Sequence, residues 1–290
     1  MHYSDYKTIL SPQNGMNLYR GCTHGCIYCD SRSACYQMGH DFEDIEVKRN
    51  APEMLERQLR RKRTPCMIAT GSMCDPYIHL EEELRVTRRC LETIERHGFG
   101  LAILTKSARI LRDLDLLTAI NEKARCVVQV SLSTYDEDLC GKVEPNVSAT
   151  KERVRVLEVM RDAGIPTVVW LCPTLPFIND TEENLRCLLE CCIGADVRGI
   201  VCFGFGMTLR EGSREHYYGE LDRLFPGLKD RYIRTYGDEY VCNSPNSPAL
   251  TEIFERTCRE HGIISTPEEV FAYMREFPSK RRQTTFDAFM

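Results

Sequence analysis

Five apolar runs at helix-sized intervals constrain the fold of this chain most: 66–70, 101–104, 126–132, 167–171 and 200–205. A strand buried on both faces reads as a continuous apolar run rather than an alternation, as in a parallel sheet covered by helices. The segments between the runs carry helical periodicity. Leu84, Thr87, Leu91 and Ile94 recur at helical spacing, and Leu185, Leu188, Leu189 and Cys192 do so behind a capping box at Asp180 and Glu183. Gly98, Gly164 and Gly194 stand where these helices should stop. This alternation predicts an α/β fold with a parallel sheet, and ligands in such folds gather at the C-terminal ends of the strands.

A further short strand is predicted over 16–20, after the turn-like Ser11-Pro12-Gln13-Asn14-Gly15. It delivers Gly21-Cys22-Thr23-His24-Gly25-Cys26-Ile27-Tyr28-Cys29 from its C-terminal end. Three thiolates on one tight loop can hold three irons of a cubane iron-sulfur cluster, which leaves the fourth iron open to another ligand. The competing reading is a zinc knuckle with His24 or Cys35 as fourth ligand. Zinc sites usually come as two separated pairs, and no second pair lies near this loop.

Composition excludes several classes. The chain has 290 residues, 42% of them hydrophobic and 28% charged, with net charge −5, which fits a soluble globular protein with one large core or two modest ones. No stretch approaches the ~20 apolar residues of a membrane span, and the N-terminus lacks a signal pattern, so the expectation is a cytoplasmic protein without a membrane partner. Without an export signal, the 16 cysteines read as reduced thiols and metal ligands rather than disulfides. The basic stretch 48–63 ends in Arg60-Arg61-Lys62-Arg63; it reads as a solvated helix end on the face opposite the site, where basic residues also suit the helix dipole. Beyond about residue 210 the pattern turns helical and mixed, and 283–290 reads as a tail.

A set of motifs follows in order: Tyr19-Arg20-Gly21-Cys22 through Cys29, Asp75-Pro76-Tyr77 with Glu81, Leu104-Thr105-Lys106-Ser107, Val130-Ser131-Leu132-Ser133-Thr134, Glu144-Pro145, and 173–180. The C-x3-C-x2-C loop resembles that of the radical S-adenosylmethionine (SAM) superfamily. The ordered set resembles its spore photoproduct lyase-like branch, often labelled DNA repair photolyases. The resemblance implies a partial (β/α)6 barrel over residues 1–210, with a mostly helical C-terminal extension over 211–290 packing on it. It implies a 4Fe-4S cluster on Cys22, Cys26 and Cys29, with SAM taking the open iron, and a one-electron donor such as flavodoxin or ferredoxin as partner. Around SAM it places Tyr28 near the adenine, Ser72, Cys74 and Asp75 by the methionine part, Lys106 at the carboxylate or ribose, Ser131 or Ser133 at the ribose, and Cys172 and Pro173 on the adenine side.

Each of these has a plainer reading. Tyr28 is then a packing aromatic, Lys106 a rim lysine, and Ser133 the cap of the next helix. In spore photoproduct lyase a cysteine near the end of the second strand returns a hydrogen atom, helped by a tyrosine directly after the third cluster cysteine. Here those places hold Ser72 and Asp30. Cys74, two residues on and projecting to the same strand face, is the candidate hydrogen donor. The resemblance implies radical chemistry on a nucleic-acid lesion or nucleotide; the alternatives are a peptide, protein or metabolite substrate, or a non-catalytic cluster- or zinc-binding partner protein.

Overall fold

The computed structural model describes residues 1–278; Arg281, Arg282 and the segment read as a tail lie outside the described residues. In chain order the elements are β1 (His2–Ser4), β2 (Gly15–Met16), β3 (Tyr19–Arg20), β4 (Glu46–Lys48), α1 (Ala51–Arg61), β5 (Met67–Thr70), α2 (Glu81–Leu84), α3 (Val86–His97) and β6 (Gly100–Thr105). Then come α4 (Leu114–Lys123), β7 (Cys126–Ser131), α5 (Glu137–Val143), α6 (Thr150–Asp162), β8 (Thr167–Trp170), α7 (Glu182–Gly194) and β9 (Gly199–Val201). The remainder is β10 (Gly206–Thr208), α8 (Ser213–Leu224), α9 (Leu228–Tyr236), β11 (Val241–Asn243), α10 (Ser247–His261) and α11 (Pro267–Arg275).

The central sheet has six strands in the order β2-β5-β6-β7-β8-β9, and every neighbouring pair is parallel. The order never reverses, so right-handed crossovers place the connecting helices on one face, as in a barrel left open between its first and last strands. Alternate strand residues show this. Ile68, Leu101, Ile103, Val128, Val130, Val169 and Ile200 join the main core with residues of α1, α3, α4, α6 and α7. Met67, Ala102, Val127, Val168 and Val201 face the other way and pack on Val270 and Met274 of α11, which fills the concave side. Both faces are therefore largely covered, Ala69 of β5 excepted, which is why the strands read as mainly apolar runs.

Several expectations need correction. The strand predicted over 16–20 is two strands in different sheets: β2 pairs with β5, while β3 pairs antiparallel with β4. The run 200–205 keeps strand geometry only over Gly199–Val201, because the chain turns through Gly204 at φ +98°. The capping position before α7 is Thr181, whose side chain accepts from Asn184 N at 3.2 Å. Asp180 instead accepts from the Ser244 hydroxyl at 2.5 Å. Gly98 caps α3 and Gly164 follows α6 in left-handed conformations, but α7 runs through Gly194. Arg60 and Arg61 do close α1, just before the N-terminal end of β5, and Arg60 pairs with Glu56 at 2.7 Å. Among the described residues no helix is long and apolar enough to cross a membrane.

Candidate active site

The cysteine loop leaves β3 through Gly21, at φ +83°, where a Cβ would meet the Phe42 carbonyl oxygen at 2.3 Å; only glycine lets the chain pass. Beyond α5 the chain holds the loop's other side. Ile27 N donates to the Val143 carbonyl at 3.0 Å, and Asn146 donates to the His24 carbonyl from its backbone at 3.1 Å and to the Thr23 carbonyl from its side chain at 3.0 Å. Cys22, Cys26 and Cys29 all line one cavity of about 390 Å³. The C-terminal ends of five strands feed the same cavity: Gly71 to Asp75 after β5, Lys106 after β6, Ser131 at the end of β7, Cys172 after β8 and Phe203 after β9.

The spread of the sulfurs discriminates between the two metal readings. The three thiol sulfurs do not all lie within 4.8 Å of one another. A tetrahedral zinc with Zn–S bonds of about 2.3 Å holds its thiolates about 3.8 Å apart. A cubane gives each cysteine its own iron and tolerates a wider set. Of the candidate fourth zinc ligands, Cys35 is exposed and accepts from Arg210 Nη1 at 3.3 Å, while His24 lies beside Cys22 with its Nδ1 3.5 Å from Asp75 Oδ2. The donor set fits a cluster.

The thiols are unequally prepared. The neighbouring Cys74 thiol holds Cys22 well below the ordinary thiol range; burial opposes this and His24 assists it. Burial pushes Cys26 well up, with the Glu144 carboxylate adding to it, and burial also raises Cys29. Metal binding deprotonates such ligands, so two of the three become thiolates only as metal arrives.

Glu144 is the hub of the adjoining wall. It is 1% exposed; its Oε1 accepts from the Tyr28 hydroxyl and faces Lys106 Nζ at 3.2 Å, while Oε2 accepts from Arg153 Nη2 at 2.7 Å. Fully buried Arg153 also donates from Nη1 to the Ser131 carbonyl at 2.8 Å. Burial works to raise the Glu144 carboxyl, but Arg153 and then Lys106 hold it far below the usual carboxylate range. Burial would lower Lys106, but Glu144 and Cys26 together outweigh it and raise the amine. Lys106, Glu144 and Arg153 thus form one ion-paired cluster beside the cavity, of which Lys106 reaches the cavity itself.

Asp75 ties the strand ends together. Its Oδ1 accepts from Tyr77 N at 2.8 Å and the Thr105 hydroxyl at 2.7 Å, and its Oδ2 accepts from Lys106 N at 2.7 Å. The carboxylate thus fixes where Lys106 leaves β6.

The family model described as the radical SAM superfamily matches residues 16–188. The chain belongs to the radical SAM superfamily. An uncharacterized protein of Mycobacterium tuberculosis is 31% identical over 229 residues, which is 76% of this chain and 66% of that relative's length. The chain therefore spans just under two thirds of that relative. A protein named radical SAM Nalpha-GlyT isomerase, from Pseudomonas phage M6, is 24% identical over 169 residues, 58% of this chain and 34% of its own. Among solved structures, spore photoproduct lyase complexed with dinucleoside spore photoproduct matches with TM-score 0.62 at 14% identity, covering 86% of this chain and 74% of that one. At that identity the likeness is one of fold.

In this radical SAM frame, Tyr28, Ser72, Cys74, Asp75, Lys106, Ser131 and Cys172 line the cavity together with the three cysteines. Ser133 does not; it is buried beyond the end of β7, where its carbonyl accepts from the Asn179 and Asn184 side chains. Nor does it cap α5, a task that falls to Asp136. The Cys74 thiol donates to the Gly21 carbonyl at 2.8 Å, toward the cysteine loop. Burial, with Cys202 adding to it, pushes the Cys172 thiol up to about 12, so it keeps its hydrogen.

Sequence reasoning gave no role to Arg153, Glu144, Trp170 or Phe203. Arg153 had a readable signal: it falls on the buried stripe of α6 with Val156, Leu157 and Met160, where an arginine must have a buried partner. Trp170 and Phe203 carried none, since strand and loop aromatics look alike until Phe271 of α11 packs on both, with ring centroids 5.9 and 6.2 Å away.

Proposed function

We propose that this chain binds a 4Fe-4S cluster on Cys22, Cys26 and Cys29 with SAM in the cavity beside it, and that it acts on a nucleic-acid lesion or nucleotide. The observation that carries the reading is the convergence of one loop's three cysteines and five parallel strand ends on one cavity. Held by these residues and reduced by a donor such as flavodoxin or ferredoxin, the pair would supply the radical chemistry, a 5′-deoxyadenosyl radical able to take hydrogen from a substrate.

The chain's own residues do the rest. Lys106, which lines the cavity, attracts the SAM carboxylate, and Asp75 positions Lys106 for it. Ser131 offers a hydroxyl to the ribose, and Tyr28, its own hydroxyl committed to Glu144, offers a ring to the adenine. Ser72 and Cys74 line the methionine end, and Cys172 the adenine side. Trp170, Phe203, Met207 and Val241 make the apolar side of the cavity, at which Phe203 and Val241 still meet solvent. The Cys74 thiol lies against Cys22 and the Gly21 carbonyl at the cysteine loop, and we favour consumption of SAM in each turnover over return of hydrogen from Cys74. We take residues 1–210 as the core barrel and 211–290 as the extension.

The nucleotide reading draws on the lyase of like fold, which was solved with a dinucleoside spore photoproduct. The test is 5′-deoxyadenosine release by anaerobic, reduced protein given irradiated DNA, nucleotides or peptides. Release stimulated by a DNA or nucleotide substrate is expected. Stimulation by peptides alone would replace the substrate class, and no SAM cleavage by iron-loaded protein would overturn the whole reading.

A further inference from the structure

Away from the cavity, β1 and the turn before β4 bring together two histidines and a carboxylate. Among the described residues, His2, His40 and Asp44 are the one group of three metal-donor side chains whose ligand atoms all lie within 4.8 Å of one another. His2 Nδ1 lies 2.9 Å from Asp44 Oδ2, and the two imidazoles cross edge-on with centroids 4.7 Å apart. Asp44 Oδ1 also faces the Met1 amine at 2.8 Å.

The state of His40 points to a cation. Its Nδ1 is 2.9 Å from the Asp41 carbonyl oxygen. A carbonyl only accepts, so Nδ1 carries the hydrogen, and in the neutral ring Nε2 holds the lone pair. That Nε2 is buried, has no hydrogen-bond partner, and stands 3.4 Å from Glu46 Oε2, whose other oxygen is taken by the Tyr6 hydroxyl at 2.8 Å. A lone pair facing a carboxylate oxygen repels it unless a positive charge sits between them. A backbone carbonyl behind the far ring nitrogen is also the usual support of a metal-bound histidine, because it fixes the tautomer.

We propose that His2, His40 and Asp44, with Glu46 beside them, bind one divalent transition ion of the zinc class that fastens β1 to the turn before β4. Two imidazoles and a carboxylate suit zinc or a neighbouring first-row ion rather than magnesium or calcium, which prefer oxygen. Bonds of about 2.0–2.2 Å bring tetrahedral donors to about 3.5 Å, so a small side-chain rotation closes the set. The staple would bear on the cysteine loop from behind. β1 pairs with β4, β4 pairs with β3, and Phe42, within the stapled turn, holds its carbonyl against Gly21. The inference does not depend on the reading of the cavity.

The test uses the full chain with its cluster intact, loaded with Zn2+, freed of loosely held metal, and compared with His40→Ala and Asp44→Asn. Wild type should keep one more zinc per chain than either variant. Free Zn2+ at about 100 times its Kd should raise the wild-type Tm by about 5 °C, and Mg2+ should not. Both variants should lose that shift; Asp44→Asn is isosteric and covers a folding failure of His40→Ala. X-ray absorption at the zinc edge should show nitrogen and oxygen ligands only. Equal zinc and equal shifts in all three proteins, or sulfur ligation of the extra zinc, would overturn the proposal in favour of plain protonated histidine–carboxylate pairs.

Discussion

Replacing Glu144 by glutamine removes the buried carboxylate that faces two cations beside the cavity. Arg153 Nη2 lies 2.7 Å and Lys106 Nζ 3.2 Å from it, and Arg153 has no exposure through which water could compensate. A unit pair at about 4 Å is worth about 4 kcal/mol at an effective dielectric of about 20, and opening one side of a buried pair costs about 3–5 kcal/mol. Glutamine keeps an oxygen for the Tyr28 hydroxyl, so we expect the low end, about 3 kcal/mol, read as a lower denaturant midpoint at unchanged slope and a Tm lower by about 6–10 °C. Adding Arg153→Met removes the stranded cation, and the double variant should be at least about 2 kcal/mol more stable than the sum of the single changes. The pH dependence has a definite sign. The folded Glu144 carboxyl lies below its unfolded value, so its stabilisation is complete above the unfolded pKa of about 4.3 and is lost as pH falls through the folded one. The gap between wild type and Glu144→Gln should stay level from pH 8 to about 5 and narrow below about 4. A loss under about 1 kcal/mol, or strict additivity in the double variant, would refute the account of this wall.

Three further outcomes follow from the site. Lys106→Ala should weaken SAM binding by about 10-fold or more, as expected for a charge-assisted contact of about 1.5–3 kcal/mol; unchanged affinity by titration would remove Lys106 from the SAM site. In heavy water, mass spectrometry of turnover products should show no deuterium returned to SAM; return that disappears in Cys74→Ala or in Cys172→Ala would name that thiol as the donor. Gly71→Ala should cost more than about 2 kcal/mol and reduce SAM binding, because a Cβ at φ +101° would stand 2.1 Å from the Leu104 carbonyl oxygen; near-normal unfolding would show that the two strand ends do not approach so closely.

The parts legible in the sequence were those whose cause is local. Apolar runs mark β5 to β8 because these strands are largely covered on both faces, and the cysteine loop declares itself because its three ligands fall within eight residues. What escaped depends on distant partners. The break at Asn17-Leu18 follows from β3 turning to meet β4 rather than continuing in the central sheet, and no pattern within 16–20 shows which strand it will meet. Ser131 and Ser133 looked equivalent at strand spacing, but β7 ends at Ser131, so alternation no longer governs the second serine. The concave face is filled by α11, more than a hundred residues after the strands it covers first, and this places Trp170 and Phe203 at the cavity. Cys74 lines the cavity as its spacing suggested, with its sulfur 2.8 Å from the Gly21 carbonyl oxygen.

The most direct test of the central claim is the metal content of anaerobically reconstituted protein, together with the electron paramagnetic resonance spectrum of its reduced form before and after SAM. The account predicts about four irons and four sulfides per chain, a spectrum that changes when SAM takes the open iron, and loss of both when Cys22, Cys26 and Cys29 are replaced by alanine. Stoichiometric zinc at these cysteines with no iron, or a cluster whose spectrum ignores SAM, would contradict it.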